Sequence, residues 1–367
     1  MWQWYNHAEA LATARGKTLI RINIDETSVC LHPGCGRGAV FVTRKWLRDG
    51  GGQHVPKWKQ RRYMPHVGVV CDRPDVQAVL PQIVIGSGAT LLLRDIFALR
   101  RGRPRNVRLI RRTTAWNTSK LMACLIRQIA AVLAVDGLAP ATTQVMLIVD
   151  AARIHYTPEA LRACRAARFW LIVVPAQMTF LLQPLDTHAF ALYKTHLQRA
   201  YQRARIGSLS INGDISIAEF LPCIDHAIQS ALEARPWAAA FDSDGFGDRQ
   251  RSLGGRVKRR LQLSADPEVP STRPTDAQLL SCFPRRTRPD FALLWSLFDE
   301  QAAPLSAVPH PGDAGLVPMH GAAPVGPLIA RLRRGLEGAE HAVPRLSPGL
   351  AGAPPLLRRY RHPPDLD

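Results

Sequence analysis

The sequence predicts an α/β fold in which a mixed β-sheet is flanked by helices. Residues 18–25 alternate apolar and polar side chains with the period of two that is typical of a half-buried strand. Residues 144–150 and 169–174 are nearly continuous apolar runs, as expected of strands that are buried on both faces. Segments with helical periodicity lie between and after these runs, so that strands and helices alternate along the chain.

The elements follow one another in an informative order. After the first strand, residues 39–43 are predicted to form its hairpin partner, and further strands are predicted at 66–71, 79–85 and 106–110. Helices are predicted at 117–135, at 158–167, where a proline opens the first turn, and at 187–205. Antiparallel strands followed by this alternation are the order of a ribonuclease-H-like fold, although other α/β folds alternate in the same way.

Composition divides the chain into four segments. Residues 1–16 form a lead-in, residues 17–205 form the α/β domain, and residues 206–300 form a helical C-terminal extension. Residues 301–367 hold 12 of the 29 prolines, together with short Gly/Ala/Pro stretches. Because such a composition does not sustain regular hydrogen-bonded ladders, we expect a mostly disordered tail.

The charge balance favours a polyanionic partner. Lys and Arg number 48 against 29 Asp and Glu, a net charge of +19, and only seven of the basic residues are Lys. An Arg fork grips phosphate through two hydrogen bonds, although a GC-rich coding sequence would also enrich Arg. The apolar content of 46% excludes wholesale disorder, and no apolar run reaches the roughly 20 residues of a membrane-spanning helix.

The seven cysteines are irregularly spaced, which favours reduced thiols over a disulfide framework. One cluster, Cys30, His32 and Cys35, offers three zinc ligands, and His66 and Cys71 are candidates to complete it. Ordinary buried thiols beside a turn are the competing interpretation. A structural zinc protein therefore stays open as one alternative.

Three aspartates lie at the ends of predicted elements. Asp25 and Asp150 end strands, and Asp186 precedes the predicted helix at 187–205. Carboxylates that converge at one sheet edge repel one another, so they favour a hard divalent cation such as Mg²⁺ or Mn²⁺. Two such ions roughly 4 Å apart can support phosphoryl transfer. The alternative is that Asp25 and Asp150 cap turns while Asp186 is the N-cap of its helix.

The sequence around these aspartates resembles one family. The stretch Arg21-Ile-Asn-Ile-Asp25-Glu-Thr-Ser is similar to the opening motif of DDE-superfamily transposases of the pogo/tigger/jerky type, within the mariner group. The stretch from Leu147 to His155 resembles the second motif, and Pro175 to Asp186, with Lys194 eight residues later, resembles the third. Leu80 to Gly86 and Trp116-Asn-Thr-Ser match intermediate segments. The resemblance covers residues 17–205 in the correct order.

The resemblance implies a DNA transposase-like endonuclease domain that cleaves and joins phosphodiesters. Asp25, Asp150 and Asp186 would be the catalytic residues and would bind two Mg²⁺ or Mn²⁺ ions. Asp25 and Asp150 would share one ion, while Asp186 with either of the others would hold the second. His155 would orient a metal-bound water or touch a phosphate, unless it is a structural histidine at a helix entry. Gln183 would shape the backbone that presents Asp186.

Two departures from the family weaken this reading. Ala151 stands where the family usually has Asn, and only about 16 residues precede the first strand, where family members carry helix-turn-helix modules. We therefore expect that the N-terminal DNA reader is missing from this sequence. The alternative function is a domesticated or decayed transposase-derived protein that binds nucleic acid without catalysis.

Basic clusters are the candidate DNA contacts, with a solvated surface as the alternative. They comprise Lys57, Lys59, Arg61, Arg62, Arg100, Arg101, Arg103, Arg105 and Lys194. The aromatic side chains that alternate with cations over 57–63 would stack on an unpaired end base. The expected partners are DNA and, as an open alternative, a second copy of the chain. We expect a nuclear location, and neither a membrane association nor an organic cofactor.

Overall fold

The computed structural model describes residues 1–30, 63–92, 104, 106–135, 142–207, 215–247 and 253–299. The predicted hairpin strand at 39–43 and the predicted tail lie outside these residues. The N-terminal lead-in contains a helix, α1 (Trp2–Ala14), which is followed by β1 (Thr18–Cys30). No helix within the described ranges combines the length and the apolarity needed to span a bilayer.

The remaining elements of the sheet region agree closely with the sequence pattern. The strands are β2 (Tyr63–Cys71), β3 (Gln82–Ser87), β4 (Val107–Arg112), β5 (Thr143–Val149) and β6 (Trp170–Val173). The helices are α2 (Pro74–Gln77), α3 (Ser119–Val135), α4 (Pro158–Ala167), α5 (Thr179–Leu182) and α6 (Phe190–Gly207). A 3₁₀ turn at Arg153–Tyr156 precedes α4, and a π-helical turn at Leu185–Ala189 leads into α6.

The six strands form one mixed sheet in the order β4-β3-β2-β1-β5-β6. The pairs β1–β2 and β2–β3 are antiparallel, whereas β1–β5, β5–β6 and β3–β4 are parallel. The central strands carry side chains that are fully buried on both faces, as the consecutive residues Leu147 and Ile148 of β5 show. The predicted ribonuclease-H-like α/β sheet flanked by helices is confirmed.

A helical extension follows the sheet. It contains α7 (Ile217–Ala227), a π-helical turn at Ile228–Glu233, α8 (Ala238–Ser243), α9 (Gly255–Leu261), α10 (Asp276–Leu279) and α11 (Phe291–Trp295), with 3₁₀ turns at Leu280–Cys282 and Ser296–Phe298. The extension packs on α1, since the Tyr5 hydroxyl donates to the Phe246 carbonyl and the rings of Trp4 and Trp295 lie 6.2 Å apart. The boundary at residue 205 stays a prediction.

A buried ion cluster joins α1 to the sheet. Arg21 of β1 is 6% exposed, and its guanidinium donates to Asp72 at 2.9 Å and to the Tyr5 hydroxyl at 2.7 Å. The same group lies 3.5 Å from Glu9 of α1. Removing one member of a buried ion cluster leaves the opposite charges without their counter-ion, which costs more than the cluster itself contributes.

We therefore expect Arg21→Met to lower the free energy of unfolding by about 3–5 kcal/mol, because Glu9 and Asp72 then stay buried without this cation. Arg21→Lys, which keeps the charge but loses the fork, should cost less. Urea unfolding followed by circular dichroism measures both variants. A loss below about 1 kcal/mol for Arg21→Met would show that the cluster does not hold α1 on the sheet.

Candidate active site

Asp25 lies inside β1, five residues before the strand ends at Cys30, and not at its end as the sequence suggested. The strand continues because residues 26–30 pair with residues 63–67 of β2. The parallel pairing with β5 stops earlier, at Asn23 opposite Ile148. Asp25 therefore emerges just beyond the carboxyl end of β5, which is where Asp150 follows Val149. Two of the three predicted carboxylates meet at this edge of the sheet.

A buried amide brings the third carboxylate to the same edge. Asn23 is fully buried, and its Nδ2 donates to the Ile148 carbonyl at 2.9 Å. Its Oδ1 accepts from the backbone N–H of Leu185 at 2.8 Å, in the π-helical turn that contains Asp186. Pro184 occupies the N-cap position of that turn, so the alternative that Asp186 is the helix N-cap is wrong.

Gly68 permits the close packing of this turn. It stands opposite Asp25 in the β1–β2 register. A Cβ at this position would lie 2.9 Å from a ring carbon of Phe190 and 3.4 Å from a methyl group of Leu185. Since these two side chains flank the segment that carries Asp186, any larger residue at 68 would push that carboxylate away from Asp25.

The carboxyl groups of Asp25 and Asp186 interact directly. Burial, with the charges of Asp186 and Asp150 nearby, raises the pKa of Asp25 well above its ordinary value. Burial also raises the pKa of Asp186, although hydrogen bonds from Thr179 and Asp25 and the charge of Lys194 oppose the rise. Carboxyl groups with raised pKa values of this kind hold a proton more readily than isolated carboxyl groups do.

Asp150 behaves differently because a histidine neutralises it. His155 is buried, and its Nδ1 lies 2.6 Å from Asp150 Oδ1, which also accepts from the Ala152 N–H at 3.0 Å. Burial acts to raise the pKa of Asp150, but the contacts with His155 and Ala152 outweigh it and the pKa lies below its ordinary value. For His155 burial acts to lower the pKa, and the hydrogen bond and charge of Asp150 raise it overall. The pair therefore favours an imidazolium beside a carboxylate.

Glu26 is a fourth carboxylate that the sequence reasoning did not assign. Its Oε1 accepts from Asn117 Nδ2 at 2.5 Å, and burial raises its pKa despite this hydrogen bond. Charges on Asp150 and His155 also act on it, and its own charge acts on Asp25, so Glu26 lies beside two of the three aspartates. The signal was present in the sequence, because Glu26 follows Asp25 directly and Asn117 lies in one of the intermediate segments.

The helical extension contributes a second unassigned carboxylate. Asp244 is fully buried and accepts from the Thr187 hydroxyl at 2.5 Å and from Arg256 at 3.3 Å. Arg256 also donates to the Leu181 carbonyl at 3.1 Å, at the end of α5. Burial raises the pKa of Asp244 to about 6. This network holds the chain on both sides of Asp186, although its members come from segments about 60 residues apart in sequence.

Of the other predicted site residues, the structure describes Gln183 and Lys194. Gln183 is buried, and its backbone carbonyl accepts from the N–H and the hydroxyl of Thr187, which supports the turn. Lys194 is exposed and acts electrostatically on Asp186. The other predicted DNA contacts lie outside the described residues: Lys57, Lys59, Arg61, Arg62, Arg100, Arg101, Arg103 and Arg105.

The chemistry of these donors fits hard divalent cations, because Asp25, Asp150, Asp186 and Glu26 offer only oxygen ligands. Within the described ranges, however, no three His, Cys, Asp or Glu side chains are placed so that they could hold a metal ion. Asp150 contacts His155, and the carboxyl groups of Asp25 and Asp186 act on each other. The carboxylates are close enough to interact, and binding an ion requires them to exchange these partners.

The zinc alternative is tested only in part. His32 and Cys35 lie outside the described residues. His66 is buried, with Nε2 3.2 Å from Gln82 and its ring 4.9 Å from that of Tyr193. Burial raises the pKa of the Cys71 thiol well above its ordinary value, which disfavours the thiolate that zinc needs. These two residues therefore have the character of core side chains.

We expect Asp25→Asn to stabilise the metal-free protein at pH 7, by about 1–3 kcal/mol, because an amide is uncharged without a proton, whereas Asp25 must either ionise beside other carboxylates or retain a proton that the unfolded chain gives up. A raised pKa means that the unfolded chain loses its proton first as the pH rises, so Asp25 costs stability above about pH 4. The advantage of the variant should thus grow from pH 4 to pH 7. Urea unfolding in EDTA at several pH values measures it.

Asp75→Asn is the matched control. Asp75 pairs with Arg73 on the surface, and that hydrogen bond lowers the pKa of Asp75. This variant should change stability by no more than about 0.5 kcal/mol, and any change should be a loss. Equal behaviour of the two variants across the pH range would show that Asp25 is not held in a repulsive carboxylate cluster.

Comparison with known protein families gives a match over the middle of the chain. Residues 69–241 match the family model described as DDE superfamily endonuclease. No curated protein and no solved structure matches the chain. The matched segment contains Asp150 and Asp186, while Asp25 precedes it and is joined to it by the pairing of β1 with β2 and β5. Residues 69–241, just under half of the chain, are thus similar to DDE superfamily endonucleases.

Proposed function

We propose that this chain is the catalytic domain of a DNA transposase of the pogo/tigger/jerky type. Its reaction would be divalent-metal-dependent cleavage of a phosphodiester followed by transfer of the 3′ end to a target strand. The observation that carries the proposal is the convergence of Asp25, Asp150 and Asp186 at one edge of the sheet, linked through Asn23. The superfamily match supports a nuclease that acts on DNA.

The proposed metal ligands are Asp25, Asp150 and Asp186, with Glu26 at their border. Bound divalent ions would activate the attacking oxygen and stabilise the leaving oxygen of an in-line displacement. Asp25, whose pKa is raised, would release its proton to the solvent when an ion binds, so that its carboxylate becomes available as a ligand beside Asp186. Asp150 would already be ionised, because its contact with His155 lowers its pKa.

The surrounding side chains would keep the carboxylates in position. His155 would orient Asp150 through the contact at Nδ1, and Thr179 would orient Asp186 through a hydrogen bond. Asp244 and Arg256 would prevent the turn at Leu185–Ala189 from moving away from the sheet. Residues that orient metal ligands in this way typically affect metal affinity by about 10- to 100-fold.

The electrostatics of the chain suit DNA as the substrate. The net charge is +19, and the edge strand β4 places Arg108, Arg111 and Arg112 on the sheet. Cations of this density release counterions from the phosphate backbone when they bind. We also propose that the predicted basic clusters contact DNA. The protein would be nuclear and would pair with a second copy of the chain.

One observation favours a second candidate, a transposase-derived protein that binds DNA without cutting it. Ala151 is buried beside Asp150 and has a methyl side chain where the family that this chain resembles usually has the amide of Asn. The Tyr156 hydroxyl donates to the Ala151 carbonyl, so the backbone is held although the polar side chain is missing. A weakened metal site would leave DNA binding intact while catalysis is lost.

Strand transfer tests the proposed function directly. A duplex with a free 3′-hydroxyl is incubated with supercoiled plasmid and Mn²⁺, and joined product is measured on gels. We expect Asp25→Ala, Asp150→Ala and Asp186→Ala each to reduce joining by at least about 1,000-fold, because each ion needs a shared carboxylate. Double replacements should add little, since residues that act as one unit are not additive.

The exposed Asp75→Ala variant serves as the control and should retain full activity. DNA binding should survive in all three aspartate variants, because the loss of a carboxylate reduces repulsion of phosphate. Full joining by Asp186→Ala would contradict the assignment of the third ligand. A wild-type protein that binds DNA and Mn²⁺ but joins no end would establish the non-catalytic binder instead.

A further inference from the structure

Two large aromatic side chains are exposed beside the carboxylates. Trp116 is 73% exposed, in the segment between β4 and α3, and Phe180 is 52% exposed in α5. Most Trp side chains of folded proteins are largely buried, since leaving an indole in water forgoes a large hydrophobic gain. Neither ring has a role in the proposed cleavage and joining reaction.

Trp116 is anchored next to the site. The following residue, Asn117, is buried and donates to Glu26, the neighbour of Asp25. The Thr118 hydroxyl, two residues after Trp116, accepts from the Arg112 guanidinium at 2.8 Å. A cation therefore lies close to the segment that carries the indole. The backbone that follows the indole is thus held by one hydrogen bond to Glu26 and by a second one from Arg112.

Phe180 has an equivalent position beside the third carboxylate. It follows Thr179, whose side chain forms a hydrogen bond with Asp186. The Arg260 guanidinium lies 5.8 Å from the centre of the Phe180 ring, and Arg256 donates to the Phe180 carbonyl at 3.4 Å. An exposed ring with cations at its border can stack a base while the cations contact the adjoining phosphates.

We propose that Trp116 and Phe180 are stacking subsites for unpaired nucleobases on the two sides of the reacting phosphate. The proposal rests on the proposed function and adds that the substrate is locally unpaired at the reaction point. Each ring adjoins a residue that bonds to a site carboxylate, so a base stacked on it lies next to the reacting phosphodiester. The cations Arg112, Arg256 and Arg260 complement a nucleic acid better than an apolar protein surface.

The preference for an unpaired substrate should therefore depend on the two rings. Binding is measured in EDTA, which separates it from catalysis, with a fully paired duplex and with a forked duplex that carries unpaired bases. One unpaired base is replaced by 2-aminopurine, whose fluorescence falls when it stacks on an aromatic ring. Wild type should bind the fork more tightly and quench the probe.

Trp116→Ala should reduce the preference for the fork by roughly 5- to 150-fold and remove much of the quenching, which corresponds to one lost stacking contact. Trp116→Phe should restore part of both, because a smaller ring still stacks. Phe180→Ala should act similarly on bases at the other side. Ile206→Ala is the control, since Ile206 is 87% exposed at the far end of α6 and should change neither quantity.

Equal binding of paired and forked DNA by wild type, or an unchanged preference in Trp116→Ala, would overturn the proposal. So would a change of oligomeric state in Trp116→Ala with unaltered DNA binding, because the ring would then belong to a protein interface. These outcomes are independent of the strand-transfer assay. A protein that joins no ends can still stack bases, and an active enzyme can fail to do so.

Discussion

One buried side-chain amide determines the geometry of the candidate site. The side-chain amide of Asn23 donates to the Ile148 carbonyl of β5 and accepts from the Leu185 N–H. A buried amide left without partners costs about 1–3 kcal/mol, so the folded chain must bring all three segments together to satisfy it. Because Asn23, Asp25, Asp150 and Asp186 lie within two residues of these contacts, the same requirement gathers the three carboxylates.

The resulting cluster is electrostatically unfavourable in the absence of a cation. Asp25 is buried, and the charges of Asp186 and Asp150 raise its pKa further. The surrounding structure resists the tendency of these groups to separate. Gly68 lets Leu185 and Phe190 approach the sheet, and Asp244 holds the turn through Thr187. The extension beyond α6 is therefore part of the site's support, although it supplies none of the proposed ligands.

The sequence predicts the strands of the sheet well, because the pattern of apolar residues that identifies each strand lies within the strand itself. Period-two alternation locates β1, and continuous apolar runs locate β5 and β6 to within one or two residues. The three aspartates are also identifiable, since each follows or lies in a strongly patterned segment. The continuation of β1 past Asp25 was missed, because it depends on pairing with β2 and not on the alternation alone.

Residues that act over long sequence separations could not be predicted. Asp244 lies 57 residues from Thr187, and its burial follows from how α8 packs against the π-helical turn. Glu26 and Asn117 each lie in a recognisable motif, but the hydrogen bond between them spans 91 residues and could not be predicted from either motif. The helix α1 was read as a lead-in, because its apolar residues Trp4, Tyr5 and Ala8 are covered only once the extension packs on it.

Because burial and the charges of Asp186 and Asp150 raise the pKa of Asp25, a divalent cation that binds this cluster should displace a proton. Calorimetric titration with Mn²⁺ at about pH 6, in buffers of different ionisation enthalpy, counts the protons released on binding. The account predicts release of up to about one proton by wild type, less as the pH rises, and almost none by Asp25→Asn. Binding of Mn²⁺ by wild type without any proton release would contradict it.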